Sequence, residues 1–169
     1  MGNLYLVGFM GSGKSTVGKI VAHKIGYKFV DIDKLIEERE NKTIPQIFKE
    51  YGESYFRQLE KHIIQEFTEK SGYIVSTGGG LGADIENMEK MKKRGTVVWL
   101  DVSLDEILKR TEKDSTERPL LKNPREKIEK LYKDRKKVYS MADIHIKAEN
   151  KSPEEIAQEI LDKWNSLQG

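Results

Sequence analysis

The chain has 169 residues, with 30 Lys and Arg residues against 28 Asp and Glu residues, and a formal net charge of +2. This length is enough for one domain with a sizeable core, and a content of 37% apolar residues excludes an intrinsically disordered chain. The near balance of charge argues against a general nucleic-acid or membrane-surface binder. No apolar run approaches the ~18–20 residues of a membrane span. The absence of cysteine excludes disulfides and thiolate metal sites and favours a cytoplasmic protein.

Short apolar runs alternate with helical patterns along the chain. In chain order the sequence predicts a strand at residues 4–7, a helix at 14–25, a strand at 29–31, helices at 33–39, 43–51 and 53–70, a strand at 73–76, a helix at 84–93, a strand at 96–100, helices at 104–113 and 125–139, a strand at 144–146, and a last helix capped by Ser152. The polar stretch 114–124 contains two prolines and predicts a loop. Alternating strands and helices predict one α/β domain over residues 1–169, with a five-stranded parallel sheet and helices on both of its faces.

A glycine-rich segment lies between the first strand and the first helix. Residues 8–15 read Gly-Phe-Met-Gly-Ser-Gly-Lys-Ser and match the pattern G-x-x-x-x-G-K-[ST]. The glycines allow successive backbone N–H groups to turn toward phosphate oxygens, and the helix adds its positive N-terminal end. We expect Lys14 to reach the β and γ phosphates and the Ser15 hydroxyl to bind Mg²⁺. The segment therefore predicts a site for a nucleoside triphosphate.

Several classes of protein carry such a loop. A GTPase is excluded because no glycine has Asp three positions before it, and because residues 41–44, Asn-Lys-Thr-Ile, lack the final Asp of a guanine-reading motif. A motor or assembly ATPase usually needs a longer chain. The length favours a small kinase. A non-catalytic ATP-binding regulator, which would need no acceptor site, is an alternative of a different class.

The second strand ends in the sequence Asp31-Ile32-Asp33. The carboxyl ends of parallel strands border the ligand crevice, and alternation along an extended segment would place both carboxylates on one side. One carboxylate could hold a metal ion near Ser15, and the other could hold an acceptor hydroxyl. The alternative interpretation is that Asp33 is the N-cap of the next helix.

Four further features are ambiguous when each is taken alone. Gly78–Gly80 follow a strand and could bring backbone N–H groups to an anionic ligand, or could form a flexible turn. Arg57 and Glu60 lie three residues apart on one helix face, which is typical of a surface pair. Arg118 lies in the irregular loop, where it could close over a transferring phosphate. Arg135 lies among lysines, which is typical of a solvated basic face.

Taken together, these residues resemble the shikimate kinase family over nearly the whole chain. The matching segments, which agree in order and spacing, are residues 8–15, 31–33, 52–60, 77–80, 118–121 and 132–139. The resemblance implies a P-loop kinase fold with a mobile lid at about residues 114–124. It also implies phosphorylation of the 3-hydroxyl of shikimate by ATP and Mg²⁺, in the pathway to chorismate and the aromatic amino acids. Nothing in the sequence demands a partner chain, so we expect a monomer.

The resemblance implies a role for individual residues on the acceptor side. Asp33 would orient or deprotonate the 3-hydroxyl. Arg57 and Arg135, with the Gly79 backbone, would bind the substrate carboxylate, to which the planar guanidinium is well suited. Phe48 and Phe56 would form a wall of the ring pocket, although Phe48 could equally be a core residue. The residues implied to bind shikimate are Asp33, Phe48, Phe56, Arg57, Gly78, Gly79, Gly80 and Arg135. A kinase of another hydroxy acid such as gluconate is the runner-up, and the two arginines behind Asp33 favour a rigid ring acid.

The resemblance also implies roles on the nucleotide side. Lys14 and Arg118 would stabilise charge on the transferring phosphoryl group, and Asp31 would hold Mg²⁺ through water beside Ser15. The residues implied to bind ATP are Gly11, Ser12, Gly13, Lys14, Ser15, Thr16, Arg110, Arg118 and Pro153.

The charged residues are unevenly divided between types. The chain has 23 Lys against 7 Arg and 19 Glu against 9 Asp. Enrichment in Lys and Glu without cysteine is typical of proteins from hyperthermophiles, so the composition predicts a high melting temperature.

Overall fold

The computed structural model describes residues 2–111 and 125–168. Its elements in chain order are β1 (Leu4–Val7), α1 (Lys14–Ile25), β2 (Lys28–Asp31), α2 (Ile32–Glu40), α3 (Ile44–Tyr51), α4 (Glu53–Thr68), β3 (Tyr73–Ser76), α5 (Ile85–Arg94), β4 (Thr96–Asp101), α6 (Leu104–Thr111), α7 (Arg125–Tyr139), β5 (Ile144–Lys147) and α8 (Pro153–Gln168). The predicted order of strands and helices is confirmed. The loop and lid predicted at residues 114–124 lie outside the described residues.

The five strands form one sheet in the order β2-β3-β1-β4-β5, and all four pairings are parallel. The central strand β1 pairs with β3 on one side and β4 on the other, and all four of its residues are buried. The chain turns to one side of β1 for β2 and β3 and to the other side for β4 and β5. This reversal opens a crevice at the carboxyl end of β1, where α/β sheets bind their ligands.

Contacts of β4 show that helices cover both faces of the sheet. Trp164 of α8 donates a hydrogen bond to the Thr96 hydroxyl at 3.2 Å, whereas the Trp99 ring lies 6.2 Å from the Tyr139 ring of α7. Residues 96 and 99 of a strand point to opposite faces, so α8 and α7 lie on opposite sides of β4. No helix among residues 2–111 and 125–168 has the length and apolar character needed to cross a membrane.

The helix starts show which polar residues have a local structural role. Ser152 caps α8 by accepting from the Glu155 N–H at 3.1 Å, as predicted. At α2 the cap is Asp31, which accepts from the Lys34 N–H at 3.2 Å, and Asp33 lies inside the first turn. The interpretation of Asp33 as a cap was therefore wrong by two residues, because the helix begins at Ile32, directly after β2. The extended alternation predicted through Asp33 ends at Asp31 for the same reason.

Candidate active site

The predicted phosphate loop connects β1 to α1, which is the context that its motif requires. The Ser12 N–H donates to the Phe9 carbonyl at 3.2 Å, which tightens the loop. Gly13 precedes the helix with φ of 92°, in the left-handed region that favours glycine. The first turn of α1 contains no acidic residue, so the positive end of the helix is available to an anion.

Lys14 and Arg110 both donate hydrogen bonds to carbonyl oxygens of this loop. Lys14 is 8% exposed, and its ammonium group donates to the carbonyl oxygens of Gly8 at 2.7 Å and Phe9 at 3.1 Å. Arg110 extends from α6 and donates to the Gly11 carbonyl at 3.4 Å, while Glu106 accepts from its Nε atom at 3.1 Å. Both residues are thus brought to the loop, as expected for a nucleotide site.

Three oxygen-bearing side chains meet where β2, β3 and α1 converge. The Ser15 hydroxyl donates to Asp31 Oδ2 at 2.7 Å and lies 3.2 Å from the Ser76 hydroxyl. A carboxylate and hydroxyls are hard ligands that fit Mg²⁺, which usually takes one or two protein carboxylates and completes its shell with water and phosphate oxygens. The described part of the chain has no group of three or more His, Asp or Glu residues that could form an all-protein metal cage. Ser76 was not among the predicted metal residues.

The three consecutive glycines after β3, which we call the glycine platform (Gly78–Gly80), each face one charged side chain. A Cβ atom on Gly78 would lie 2.6 Å from Asp33 Oδ1, and one on Gly79 would lie 2.8 Å from Arg135 Nη1. On Gly80 the added atom would overlap the Arg57 guanidinium. None of the three has a positive φ. The platform is therefore glycine because charged groups approach the backbone, and not because a flexible turn needs it.

Asp33 is half-buried in the first turn of α2. Its burial, together with the nearby charge of Asp31, raises the pKa of its carboxyl to about 6, although Lys14 and Arg57 oppose the rise. A carboxyl with this pKa changes its protonation state just below neutral pH, which suits a group that accepts a proton from a hydroxyl.

Arg57 is held between two carboxylates of its own helix. Its Nη1 atom lies 2.7 Å from Glu60 Oε1 and its Nη2 atom 3.2 Å from Glu53 Oε2. Glu60 is only 1% exposed, and this burial raises the pKa of its carboxyl to about 7 against the pull of Arg57. The prediction of a surface pair was therefore wrong at the Glu60 end, because the helix turns that residue toward the core.

Arg135 is 8% exposed, so the interpretation of a solvated basic face was wrong for this residue. Its guanidinium lies 5.6 Å from the centre of the Phe9 ring, and burial lowers its pKa. Its Nη1 atom is buried and has no hydrogen-bond partner within the described residues. A buried cationic donor in this state favours binding of an anion at the platform.

An aromatic pair adjoins the two arginines. The Phe48 and Phe56 ring centroids are 5.0 Å apart, and the Arg57 guanidinium lies 5.4 Å from the Phe56 ring centre. Phe56 is buried, whereas Phe48 is half-buried, so Phe48 is not solely a core residue. Arg57, Gly80 and Arg135 are among the residues that line a cavity of about 530 Å³, whereas Asp33, Phe48 and Phe56 do not line it. The cavity has the size expected for a small-molecule site.

For three predicted site residues, the position relative to a nucleotide stays a prediction. Arg118 lies outside the described residues. Thr16 is exposed in the first turn of α1, and Pro153 begins α8, so their proximity to a nucleotide stays a prediction.

Known proteins resemble the chain over nearly its full length. A model of the family described as shikimate kinase matches residues 10–165. A shikimate kinase of Sulfurihydrogenibium sp. is 59% identical over 163 residues, which cover 96% of this chain and 98% of that protein. The crystal structure of shikimate kinase from Aquifex aeolicus has a TM-score of 0.88 and 47% identity and covers 99% of both chains. Shikimate kinase from Acinetobacter baumannii in complex with shikimate has a TM-score of 0.93 and 36% identity, with 99% of this chain and 94% of that chain covered.

Proposed function

The chain belongs to the shikimate kinase family and is a phosphotransferase of the shikimate pathway, and we propose that it transfers the γ-phosphoryl group of ATP to the 3-hydroxyl of shikimate at the glycine platform. The observation that carries the proposal is the placement of Asp33, Arg135 and Arg57 against three consecutive glycines. One carboxylate and two guanidiniums match a rigid ring acid that has hydroxyls at one end and a carboxylate at the other.

On the acceptor side, Arg57 and Arg135, with the Gly79 backbone, bind the substrate carboxylate. Gly78 and Gly80 line the same site. The buried Nη1 atom of Arg135 supports this role, since an anion would satisfy it. Phe48 and Phe56 form an apolar wall of the pocket. These contacts place the 3-hydroxyl at Asp33 and convert an intermolecular reaction into one between aligned groups.

In the transfer step, the 3-hydroxyl oxygen forms a bond to the γ-phosphorus while the bond from that phosphorus to the β–γ bridging oxygen breaks, and ADP leaves. Asp33 orients the hydroxyl and accepts its proton. Lys14 stabilises the charge that develops on the phosphoryl oxygens. Arg118, whose role rests on the family resemblance, stabilises the same charge together with Lys14.

The nucleotide and its metal occupy the phosphate-loop end. The loop N–H groups of residues 11–16 and the positive end of α1 bind the phosphates, with Arg110 and Pro153 at the remainder of the nucleotide. Ser15 would hold Mg²⁺, and Asp31 would hold it through water, as the meeting of their oxygen atoms supports. When bound, Mg²⁺ neutralises charge on the β and γ phosphates.

The test is an ATP-consumption assay on shikimate, gluconate and nucleoside monophosphates with the wild-type chain. Shikimate should give turnover well above the ATP hydrolysis seen without acceptor, whereas the other two compounds should not.

Arg57→Ala and Arg135→Ala should each raise the KM for shikimate at least about tenfold while the KM for ATP changes little, because each removes a charged partner of the carboxylate. Faster turnover of gluconate would favour the runner-up acceptor. ATP binding without transfer to any acceptor would favour the regulator.

We also expect the chain to act as a single-domain monomer in the cytoplasm. The balanced charge and the absence of cysteine support these expectations. Size-exclusion chromatography with light scattering measures the oligomeric state directly, and a mass near 19.5 kDa is the expected result.

A further inference from the structure

Tyr139 ends helix α7 directly beside the glycine platform. Its hydroxyl donates a hydrogen bond of 2.6 Å to the Gly79 carbonyl. The side chain is buried, and its ring lies 6.2 Å from that of Trp99 in β4. Tyr139 therefore ties the last turn of the helix to the backbone on which the acceptor site is built.

The hydrogen bond fixes one peptide plane of the platform. The Gly79 carbonyl and the Gly80 N–H belong to the same peptide unit, and in a trans peptide they point to opposite sides. Holding the carbonyl toward Tyr139 therefore turns the Gly80 N–H away from Tyr139. Glycine peptides rotate easily, so a constraint of this kind matters more at a run of three glycines than elsewhere.

Arg135, one helical turn earlier, lies at the same glycine. A Cβ atom on Gly79 would lie 2.8 Å from Arg135 Nη1 and 3.6 Å from the Tyr139 hydroxyl oxygen. Burial raises the pKa of Tyr139 although the nearby charge of Arg135 opposes the rise, so the hydroxyl stays protonated and can donate to Gly79. Both neighbours of this one hydroxyl are groups to which we assign the substrate carboxylate.

We propose that Tyr139 is a positioning residue, which sets the Gly79–Gly80 peptide and the Arg135 guanidinium in the orientation that binds the substrate carboxylate. The proposal rests on the proposed function of the site. Tyr139 does not touch the substrate; it acts through its two neighbours, so its contribution lies in how well the site is arranged before binding.

The test is Tyr139→Phe, which keeps the ring against Trp99 and removes only the hydroxyl. We expect the KM for shikimate to rise about five- to tenfold while kcat and the KM for ATP stay within about twofold, because the phosphate loop is untouched. A merely structural role would lower the amount of active enzyme without this selective change in KM. A shikimate KM within about twofold of wild type would overturn the proposal.

Tyr132→Phe is the matched control. Tyr132 lies on the same helix, and its hydroxyl donates to a backbone carbonyl, that of Val102, at 3.0 Å. This variant should leave the shikimate KM within about twofold of wild type, since Val102 is not part of the platform. An equal rise in both variants would mean that the effect comes from loosening α7, and the proposal would be wrong.

A measurement on the wild-type protein does not depend on the folding of a variant. With labelled tyrosine, the NMR signal of the Tyr139 hydroxyl proton should shift when shikimate is added and not when ADP is added. A signal whose position does not change on addition of shikimate would contradict the proposal. Arg135→Ala distinguishes failure of the proposed shikimate site from failure of the role of Tyr139. An unchanged shikimate KM in Arg135→Ala would mean that the proposed site is wrong. A raised KM in Arg135→Ala together with an unchanged KM in Tyr139→Phe would overturn only the role of Tyr139.

Discussion

At Gly80 the backbone lies so close to the Arg57 guanidinium that an added methyl group would overlap it. The overlapped atoms are the far end of a long side chain, which can move aside at the cost of loosening its pair with Glu60. We therefore expect Gly80→Ala to displace Arg57 and to raise the KM for shikimate about tenfold, with a smaller loss of stability than a clash with the core would cause. Steady-state kinetics and a thermal melt measure the two effects separately.

Gly82→Ala is the contrasting variant. A Cβ atom there would lie 2.8 Å from Val7 Cγ1 and 2.9 Å from Val7 Cβ, in the fully buried strand β1. Since these atoms cannot move aside, we expect a loss of about 1–3 kcal/mol of stability. We expect Gly80→Ala to act mainly on shikimate binding and Gly82→Ala mainly on stability. A destabilised Gly80→Ala enzyme with an unchanged KM for shikimate would contradict this expectation.

The Asp33 carboxyl should control the chemical step. Asp33→Asn keeps the shape of the side chain and removes its ability to accept a proton, so kcat should fall at least about 100-fold while affinity for an ATP analogue is retained. Asp162→Asn, which changes an exposed carboxyl on α8, is the control and should leave kcat unchanged. Normal turnover in Asp33→Asn would remove the residue from the mechanism.

The raised pKa of Asp33 gives the same role a pH signature. Because the carboxyl titrates at about pH 6 in the free protein, the deprotonated form is lost as the pH falls through 6. We expect kcat/KM for shikimate to fall on the acid side with an apparent pKa near 6. A profile that stays flat down to pH 5 would contradict the assignment.

At the scale of single helices, two site residues occupy core positions. In α4 the buried residues are Phe56, Glu60, Ile63, Ile64, Phe67 and Thr68. In α7 the corresponding residues are Ile128, Arg135 and Tyr139. A charged residue at such a position must find a partner or a ligand, because burial of an uncompensated charge is costly. The helical spacing of these residues can be read from the sequence. It is the signal from which the burial of Glu60 and of Arg135 could have been predicted.

Burial of Glu60 predicts how stability depends on pH. Its pKa is about 7 in the folded chain against about 4.5 for an exposed glutamate, so between these values the folded state binds more protons than the unfolded state. The free energy of unfolding should therefore decrease as the pH rises from 5 to 8, by at most about 3 kcal/mol from this residue. Glu60→Gln should flatten that decline, as measured by urea unfolding at several pH values.

Glu66, on the same helix, supplies the control because its shift has the opposite sign. The hydrogen bond from Arg39 lowers its pKa to about 2, so its contribution is complete above about pH 4.5 and is lost only in more acidic solution. Glu66→Gln should lower stability equally at pH 5 and pH 8. A decline that persists at full size in Glu60→Gln would mean that another group, such as Asp33, dominates the window.

At the scale of the whole molecule, the sheet topology assembles residues that are distant in sequence. The carboxyl ends of β1, β2 and β3 bring together the phosphate loop, Asp31 and the glycine platform. The alternation of strands and helices was sufficient to predict a parallel sheet, and the loop motif predicted where a nucleotide would bind. The strand order and the pairing of each glycine with one charged side chain could not be predicted from local patterns, because they depend on long-range packing.

The amino-acid composition predicts a thermostable protein. Because the desolvation cost of ion pairs falls with temperature, a chain enriched in Lys and Glu is suited to high temperature. Within the described residues several such pairs link neighbouring helical turns, including Lys70 with Glu66 and Lys163 with Glu159. We expect a melting temperature above about 60 °C by scanning calorimetry, and a lower value would contradict the interpretation of the composition.

The packing of Trp99 beneath Tyr139 also provides an optical probe. The chain has two tryptophans, and they lie on opposite faces of β4, with only Trp99 near the acceptor side. Trp164→Phe would leave a single emitter next to the helix that carries Arg135. Its fluorescence should change when shikimate is added, more than when nucleotide alone is added. The occupancy of the acceptor site could then be followed in real time, without a chemical label and without turnover.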